Sequence, residues 1–176
     1  MTDRGNGMQV EAYTAVGVVT GGVAPAGGLH GGLESEGALV FDTGAFYPLD
    51  GGAPRRLDAR PVAADDILAL GLSEDPETPV FAVWHPITLE AGPYRLTGEL
   101  PTQPGFDPGR ALTRPGGSFL LLRAVRLELL GGPAAWAHER PWALVNRYTI
   151  DRVAADLVLG FFFPGARLET PEGRPA

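Results

Sequence analysis

Cysteine is absent from the 176 residues, which excludes a disulfide framework, a thiolate metal site and a cysteine nucleophile. Lysine is absent too. All 14 basic residues are arginine, a skew that reads as compositional bias of the source and not as separate demands for guanidinium geometry. No apolar run reaches the roughly 18 residues that span a membrane, and MTDRGNGMQV lacks the charged and apolar regions of a signal peptide, so the expected location is the cytoplasm. Histidine is scarce: His30, His85 and His138 lie far apart in Pro/Gly-rich settings and make no metal motif. The stretch GGVAPAGGLHGG holds no GxGxxG in a strand-to-helix context and no Gly-Lys-Ser/Thr, and no G-x-S-x-G elbow occurs anywhere. The expectation is therefore no cofactor, no metal and no catalytic residue.

Glycine and proline are plentiful, at 25 and 17, and they separate short runs rich in Val, Leu, Phe and Tyr. Punctuation that frequent opposes long helices and favours strands. Apolar residues at 44% and charged residues at 20% lie in the globular range, and the length suits one domain or two small ones packed together. The net charge of −7 is uneven: residues 1–77 carry 4 Arg against 12 acids, and residues 78–176 carry 10 Arg against 9 acids. That balance opposes general nucleic-acid binding, which needs several phosphates neutralised together. An arginine patch in the second half (Arg110, Arg114, Arg123, Arg126, Arg140, Arg147, Arg152) would be an anion site, or else a solvated face paired to Glu99, Glu128, Glu139 and Asp151. Asp65-Asp66 points to opposite faces if in a strand, and suits a cap or turn better than paired acid/base work.

Self-similarity gives the organisation. Val10 to Gly32 aligns without a gap on Ile87 to Gly109, placing Thr20-Gly21 on Thr97-Gly98 and Gly28 on Gly105. Beyond small gaps Phe41 meets Phe119, Ala45 meets Ala124, Gly51-Gly52 meets Gly131-Gly132, Val62 meets Val145 and Ile67 meets Ile150. Each copy reads as strand, strand, Pro/Gly loop, hairpin-like segment and a closing segment. The loops are too punctuated for regular structure beyond a turn at DPGRAL, where Asp107 is placed to cap and Pro108 to open a helical turn. Residues 63–70 and 148–157 fit helical and strand spacing alike; in the second copy Leu144, Val145, Tyr148, Thr149 and Ile150 favour a hairpin with Asn146-Arg147 at its tip. SEDPETP reads as a linker, VFAVW as a buried or shared strand, and the triple Phe161-Phe162-Phe163 as a core, interface or partner contact.

This order, with LTGEL, the loop Asp107 and the closing VNRYTI, resembles the small β-barrels of the Sm-like and SH3-like kind, and uncharacterised bacterial domains with a G-x-L loop and a final V-N-x-x-x-I. The resemblance covers most of residues 85–155 and, more faintly, 8–70. In Sm-like proteins the loop Asp and final turn bind RNA bases, so it implies such a role for Asp107 and for Asn146 with Arg147. The first copy departs from it, with His30 at the loop position and Ala63-Ala64 at the turn.

The expected fold is all-β: two tandem small β-barrels from an internal duplication, packed together, with short helical turns. The first spans residues 1–77, the second 78–168, and a disordered tail 169–176. The expected function is a non-catalytic binding or assembly module with a protein partner or a second copy of itself and no membrane. The alternatives are RNA or anion binding by the second repeat, and a small-molecule barrel or enzyme built around His85 or His138. Candidate binding residues are Asp107, Arg110, Asn146, Arg147, Phe161, Phe162 and Phe163.

Overall fold

The computed structural model describes residues 7–76, 78, 80–104, 117–133, 135–155 and 163–169. The fold is all-β. Its strands are β1 (Met8–Thr14), β2 (Gly17–Val23), β3 (Ala38–Pro48), β4 (Arg55–Ala63), β5 (Ile67–Leu72), β6 (Val83–Ala91), β7 (Tyr94–Thr102), β8 (Phe119–Leu129), β9 (Ala137–Asn146), β10 (Arg152–Ala155) and β11 (Arg167–Glu169). They form one continuous sheet in the order β11-β10-β6-β7-β8-β9-β5-β1-β2-β3-β4, which stays open: β4 and β11 are its two edges.

The same pairing scheme occurs twice, down to the residue. In the first half β1 lies between β5 and β2, and β2, β3 and β4 follow in order; in the second, β6 lies between β10 and β7, and β7, β8 and β9 follow. Val10 opposes Leu72 and Tyr13 opposes Ala69; 77 residues after Val10 and Tyr13, Ile87 opposes Ala155 and Glu90 opposes Arg152. The β2·β3 ladder shifts register between Gly21 and Val23, and the β7·β8 ladder between Thr97 and Glu99. Glycine serves both bulges because backbone crosses close by: a Cβ on Gly98 would meet the Arg123 carbonyl at 3.0 Å, and one on Gly21 would collide with that of Thr43. A 3-10 turn precedes the last strand of each half, Ala64–Asp66 before β5 and Arg147–Thr149 before β10. Each turn is anchored alike, by the Ala64 N–H donating to Gly37 O at 2.8 Å and the Arg147 N–H to Ser118 O at 2.9 Å.

The halves join where β5 pairs antiparallel with β9, setting Ala69, Leu70, Gly71 and Leu72 against Val145, Leu144, Ala143 and Trp142. All six residues of β5 are buried, because the strand is flanked by β1 and β9 and covered on both faces. Ile67, Leu70 and Leu72 enter one apolar cluster with Val10, Val19, Leu39 and Phe41; Leu68 and Ala69 enter the other, with Leu89, Leu96, Leu122 and Val145. The unbroken apolar run ILALGL is what such a doubly covered strand requires.

Asn146 and Arg147 are not a hairpin tip: β9 pairs with β8 and β5, β10 pairs with β6 and β11, and Asn146 ends β9 at φ −71°, with no positive φ. In the closing segments 63–70 and 148–157 the described residues form 3-10 turns, Ala64–Asp66 and Arg147–Thr149, that pass into β5 and β10, since Ile67 and Val153 must reach the core; residues 156 and 157 lie outside the described residues. Val80 and Phe81 are no buried strand; they are 79% and 82% exposed on a turn that precedes β6. The Gly-rich loop holds a short helix, Gly28–Gly31, continued by a π turn, Gly32–Glu36, which buries Leu29 and Leu33. Ladder partners place Ala45 in the role of Arg126 and not Ala124, since they oppose Thr20 and Thr97; by the same register Phe41 answers to Leu122 and not Phe119. Glycine-rich spacing hid that slip of two to three residues. Glu169, the first residue of the expected tail 169–176, ends β11, and the DPGRAL turn, the linker residues 77 and 79 and residues 170–176 lie outside the described residues.

Candidate functional site

The feature with most to offer a partner is the pair of sheet ends. Among the described residues β4 pairs with β3 alone, which leaves the other side of its backbone without a strand partner along Arg55–Ala63. Seven of its nine residues are exposed, including Arg55, Arg56, Asp58, Arg60 and Pro61, and charge and proline are the usual means of blunting an edge. Behind it lies a cavity of about 640 Å3 whose apolar lining includes Val19, Phe46, Leu57, Val62 and Leu68. The Arg55 guanidinium lies over the Phe46 ring, 5.6 Å from its centroid. At the other end β10 pairs with β6 on one side and is covered on the other by three exposed residues of β11, running parallel. Arg152 of β10 makes ion pairs with Glu169 of β11 and, at 3.7 Å, with Glu90 of β6.

The seam between the halves carries a polar cluster built on Glu11, Tyr13, His138 and Arg140. Glu11 on β1 and Arg140 on β9 stand on either side of β5, and the Arg140 chain crosses β5 over Gly71. A Cβ on Gly71 would meet Arg140 Cγ at 3.1 Å and the Tyr13 ring at 3.2 Å, so glycine opens the path. Arg140 grips both oxygens of Glu11, with Nε donating to Oε2 at 3.0 Å and Nη2 to Oε1. The Tyr13 hydroxyl donates to Glu11 Oε2 at 2.5 Å and lies 3.0 Å from His138 Nδ1, and the His138 ring stacks on Trp136 at 4.4 Å. Burial pushes the Glu11 carboxyl up, but the hydrogen bonds from Arg140 and Tyr13 with the Arg140 and His138 charges outweigh it and hold the carboxyl below its ordinary value. Burial and the neighbouring Glu11 carboxylate push the Tyr13 phenol well up, and burial does the same to Tyr94. The Tyr94 hydroxyl donates to Thr14 O at 2.9 Å, tying the second half to the turn between β1 and β2. A cleft of about 360 Å3 opens beside the cluster, with Glu11, Thr20, Tyr47, Trp136 and His138 in its wall.

Of the residues singled out from sequence, Asp107, Arg110, Phe161 and Phe162 lie outside the described residues. Phe163 is buried in the second-half core. Asn146 and Arg147 are both 4% exposed: Asn146 Oδ1 accepts from the Tyr148 N–H at 3.1 Å, and the Arg147 guanidinium lies 5.2 Å from the Tyr148 ring centroid and 3.5 Å from Gly117 O. They form a structural joint. The remaining described arginines of the supposed patch sit in ion pairs: Arg123 with Glu99, Arg126 with Glu128 and Glu139, Arg140 with Glu11 and Arg152 with Glu90 and Glu169. Arg123 also covers the Trp84 ring at 4.1 Å, and that ring packs against Trp142 of β9. His85 Nε2 lies 2.8 Å from Thr102 Oγ1, so the histidines do not converge, and no cluster of three potential metal ligands occurs among the described residues. No described helix is long and apolar enough to cross a membrane.

Sequence reasoning missed Glu11, Tyr13, Gly71 and Trp136, and it named Arg140 only as a member of the arginine patch, without its partner Glu11. They are isolated in the chain and meet only because β5 lies between β1 and β9. The one sequence signal that could have located the junction is the unbroken apolar run ILALGL, which a strand covered on both faces requires. Comparisons with protein families, with curated proteins and with solved structures find no match to this chain.

Proposed function

We propose that the chain is a non-catalytic assembly module, built from two fused copies of one small Sm-like or SH3-like barrel unit, that binds protein by adding a strand to the open β4 edge. The observation that carries this is the internal join β5·β9. One half of the chain already holds the other through backbone pairing between a closing strand and a fourth strand. The repeated strand order and 3-10 turns support the duplication. Strand addition draws affinity from main-chain hydrogen bonds and specificity from side chains that enter an adjoining pocket, and the cavity behind β4 supplies one. Size-exclusion chromatography with light scattering on the full chain, from dilute to concentrated, tests the reading. A mass above the monomer with protein-only absorbance is expected. A monomer at every concentration overturns self-assembly, and an absorbance ratio typical of nucleic acid would favour RNA binding instead.

One observation favours a second reading. The cleft beside His138 and Trp136 has the stacked rings and polar wall that a small planar ligand needs. Quenching of tryptophan fluorescence by an aromatic carboxylate or amine, lost in Trp136→Ala, would support it; no change in fluorescence across such a set would remove it.

A further inference from the structure

From the equivalence of the two halves we infer that the partner strand for β4 is β10 of a second copy, and that β11 is a built-in cap on that seat. The inference rests on the reading of β4 as a binding edge and names what binds there. The register already described makes Ala69, Leu70, Gly71 and Leu72 of β5 the counterparts of Arg152, Val153, Ala154 and Ala155 of β10, since each set faces equivalent residues of β1 and β6. Within β3·β4 and β8·β9, Ala38 opposes Ala63 and Phe119 opposes Asn146, which makes Trp142, Ala143, Leu144 and Val145 of β9 the counterparts of Ala59, Arg60, Pro61 and Val62 of β4. The chain thus ends with one half of its own seam exposed on β4 and the complementary half on β10. Repeating the internal join between copies sets Val62 against Arg152, Pro61 against Val153, Arg60 against Ala154 and Ala59 against Ala155. Such a contact is head-to-tail: the two surfaces differ, so each copy keeps a free end and the assembly grows or closes into a ring.

The seat on β10 is not empty. β11 pairs with Arg152, Val153 and Ala154, three of the four residues that the internal join uses at β5, and Glu169 takes the Arg152 guanidinium. Its footing is slight. The strand has three residues, all exposed, and runs parallel where β9 on β5 runs antiparallel. A competing strand of the same chain that is short and solvated lowers the affinity for the second copy without abolishing it. On the β4 side Pro61 withholds one donor and Ala59 sits at φ +45°, so only a partner in the right register gains the remaining bonds.

The absence of cysteine makes the register testable by disulfide trapping. Arg60→Cys and Ala154→Cys are prepared separately in the full chain, mixed, and equilibrated with oxidised and reduced glutathione. A 60–154 heterodimer in the mixture, with little dimer from either variant alone, is the expected result. Leu168→Pro in the Ala154→Cys chain, which lifts β11 without removing it, should raise the heterodimer yield about tenfold, the equivalent of one or two net hydrogen bonds. If Arg60→Cys alone dimerises and the mixture gives no 60–154 product, β4 binds β4; the inference falls while the reading of β4 as a binding edge stands. If 60–154 forms but Leu168→Pro does not change it, the cap is overturned. If nothing crosslinks and light scattering reports a monomer, the inference and the reading fall together.

Discussion

Removing the Glu11 carboxylate should cost the protein far more than a surface ion pair would. The Glu11 and Arg140 side chains are only 21% and 26% exposed, and Glu11→Ala deletes a two-pronged guanidinium grip together with the acceptor for the Tyr13 hydroxyl. It leaves the Arg140 charge lying over β5 with its partner gone. Breaking a buried pair costs about 3–5 kcal/mol and an exposed pair about 0–1 kcal/mol. Partial burial places this one between them, at about 2–3 kcal/mol, or roughly 5–10 °C in Tm for a chain of this length. Urea unfolding should show a lower midpoint and an unchanged slope, and a double-mutant cycle with Arg140→Met should give a coupling of at least about 1.5 kcal/mol. The pH dependence follows from the same contact. The folded Glu11 carboxyl lies below its unfolded value of about 4.3, so its contribution is complete above that pH and is lost as the pH falls through the folded value. Glu11→Ala should flatten that acid limb. A variant within about 0.5 kcal/mol of wild type, with an unaltered acid limb, would refute the seam as a stabilising contact.

Gly71→Val should destabilise by about 2–3 kcal/mol, because its branches enter the space that Arg140 and Tyr13 already fill; thermal melts with and without Arg140→Ala check this, since shortening Arg140 should recover part of the loss. Tyr94→Phe should cost about 1 kcal/mol through loss of the buried hydrogen bond to the Thr14 carbonyl, measured by urea titration. Tyr13 and Tyr94 both have folded values raised above the free phenol at about 10, so their stabilisation is complete below that pH and is lost as the pH rises through the folded values; alkaline unfolding should set in above about pH 10 and shift in Tyr94→Phe. Phe81 holds φ +67° with its ring 82% exposed, so Phe81→Gly should leave stability unchanged or raise it by up to about 1 kcal/mol, and a fall in Tm would show that the ring has a contact to lose.

Strand content and the repeated order were legible because both are written in local pattern: glycine and proline at the turns, alternating apolar residues in β7 and β8, and matched landmarks from Val10 to Ile67. The terminal landmarks Val62/Val145 and Ile67/Ile150 agree with the ladder registers, whereas Phe41/Phe119 and Ala45/Ala124 do not. The difference is physical. The ends are pinned by a 3-10 turn and a core isoleucine, while the middle strands accept many residues on one face and a bulge can absorb a slip. Asn146-Arg147 reads as a hairpin when only neighbours in sequence are considered. A distant strand, β5, takes the edge of β9 that a hairpin partner would have used, and the turn becomes a buried joint. The polar seam was beyond local reading, because Glu11 and Arg140 are 129 residues apart and are brought together only by that long-range join.

The claim that the two ends of the sheet are halves of one join is tested most directly by hydrogen exchange read by mass spectrometry at low and high protein concentration. Amides of β4 around Arg60 and of β10 around Val153 should slow together as concentration rises, while those of β5 and β9 stay protected throughout. Exchange at β4 that is fast and independent of concentration would contradict the account.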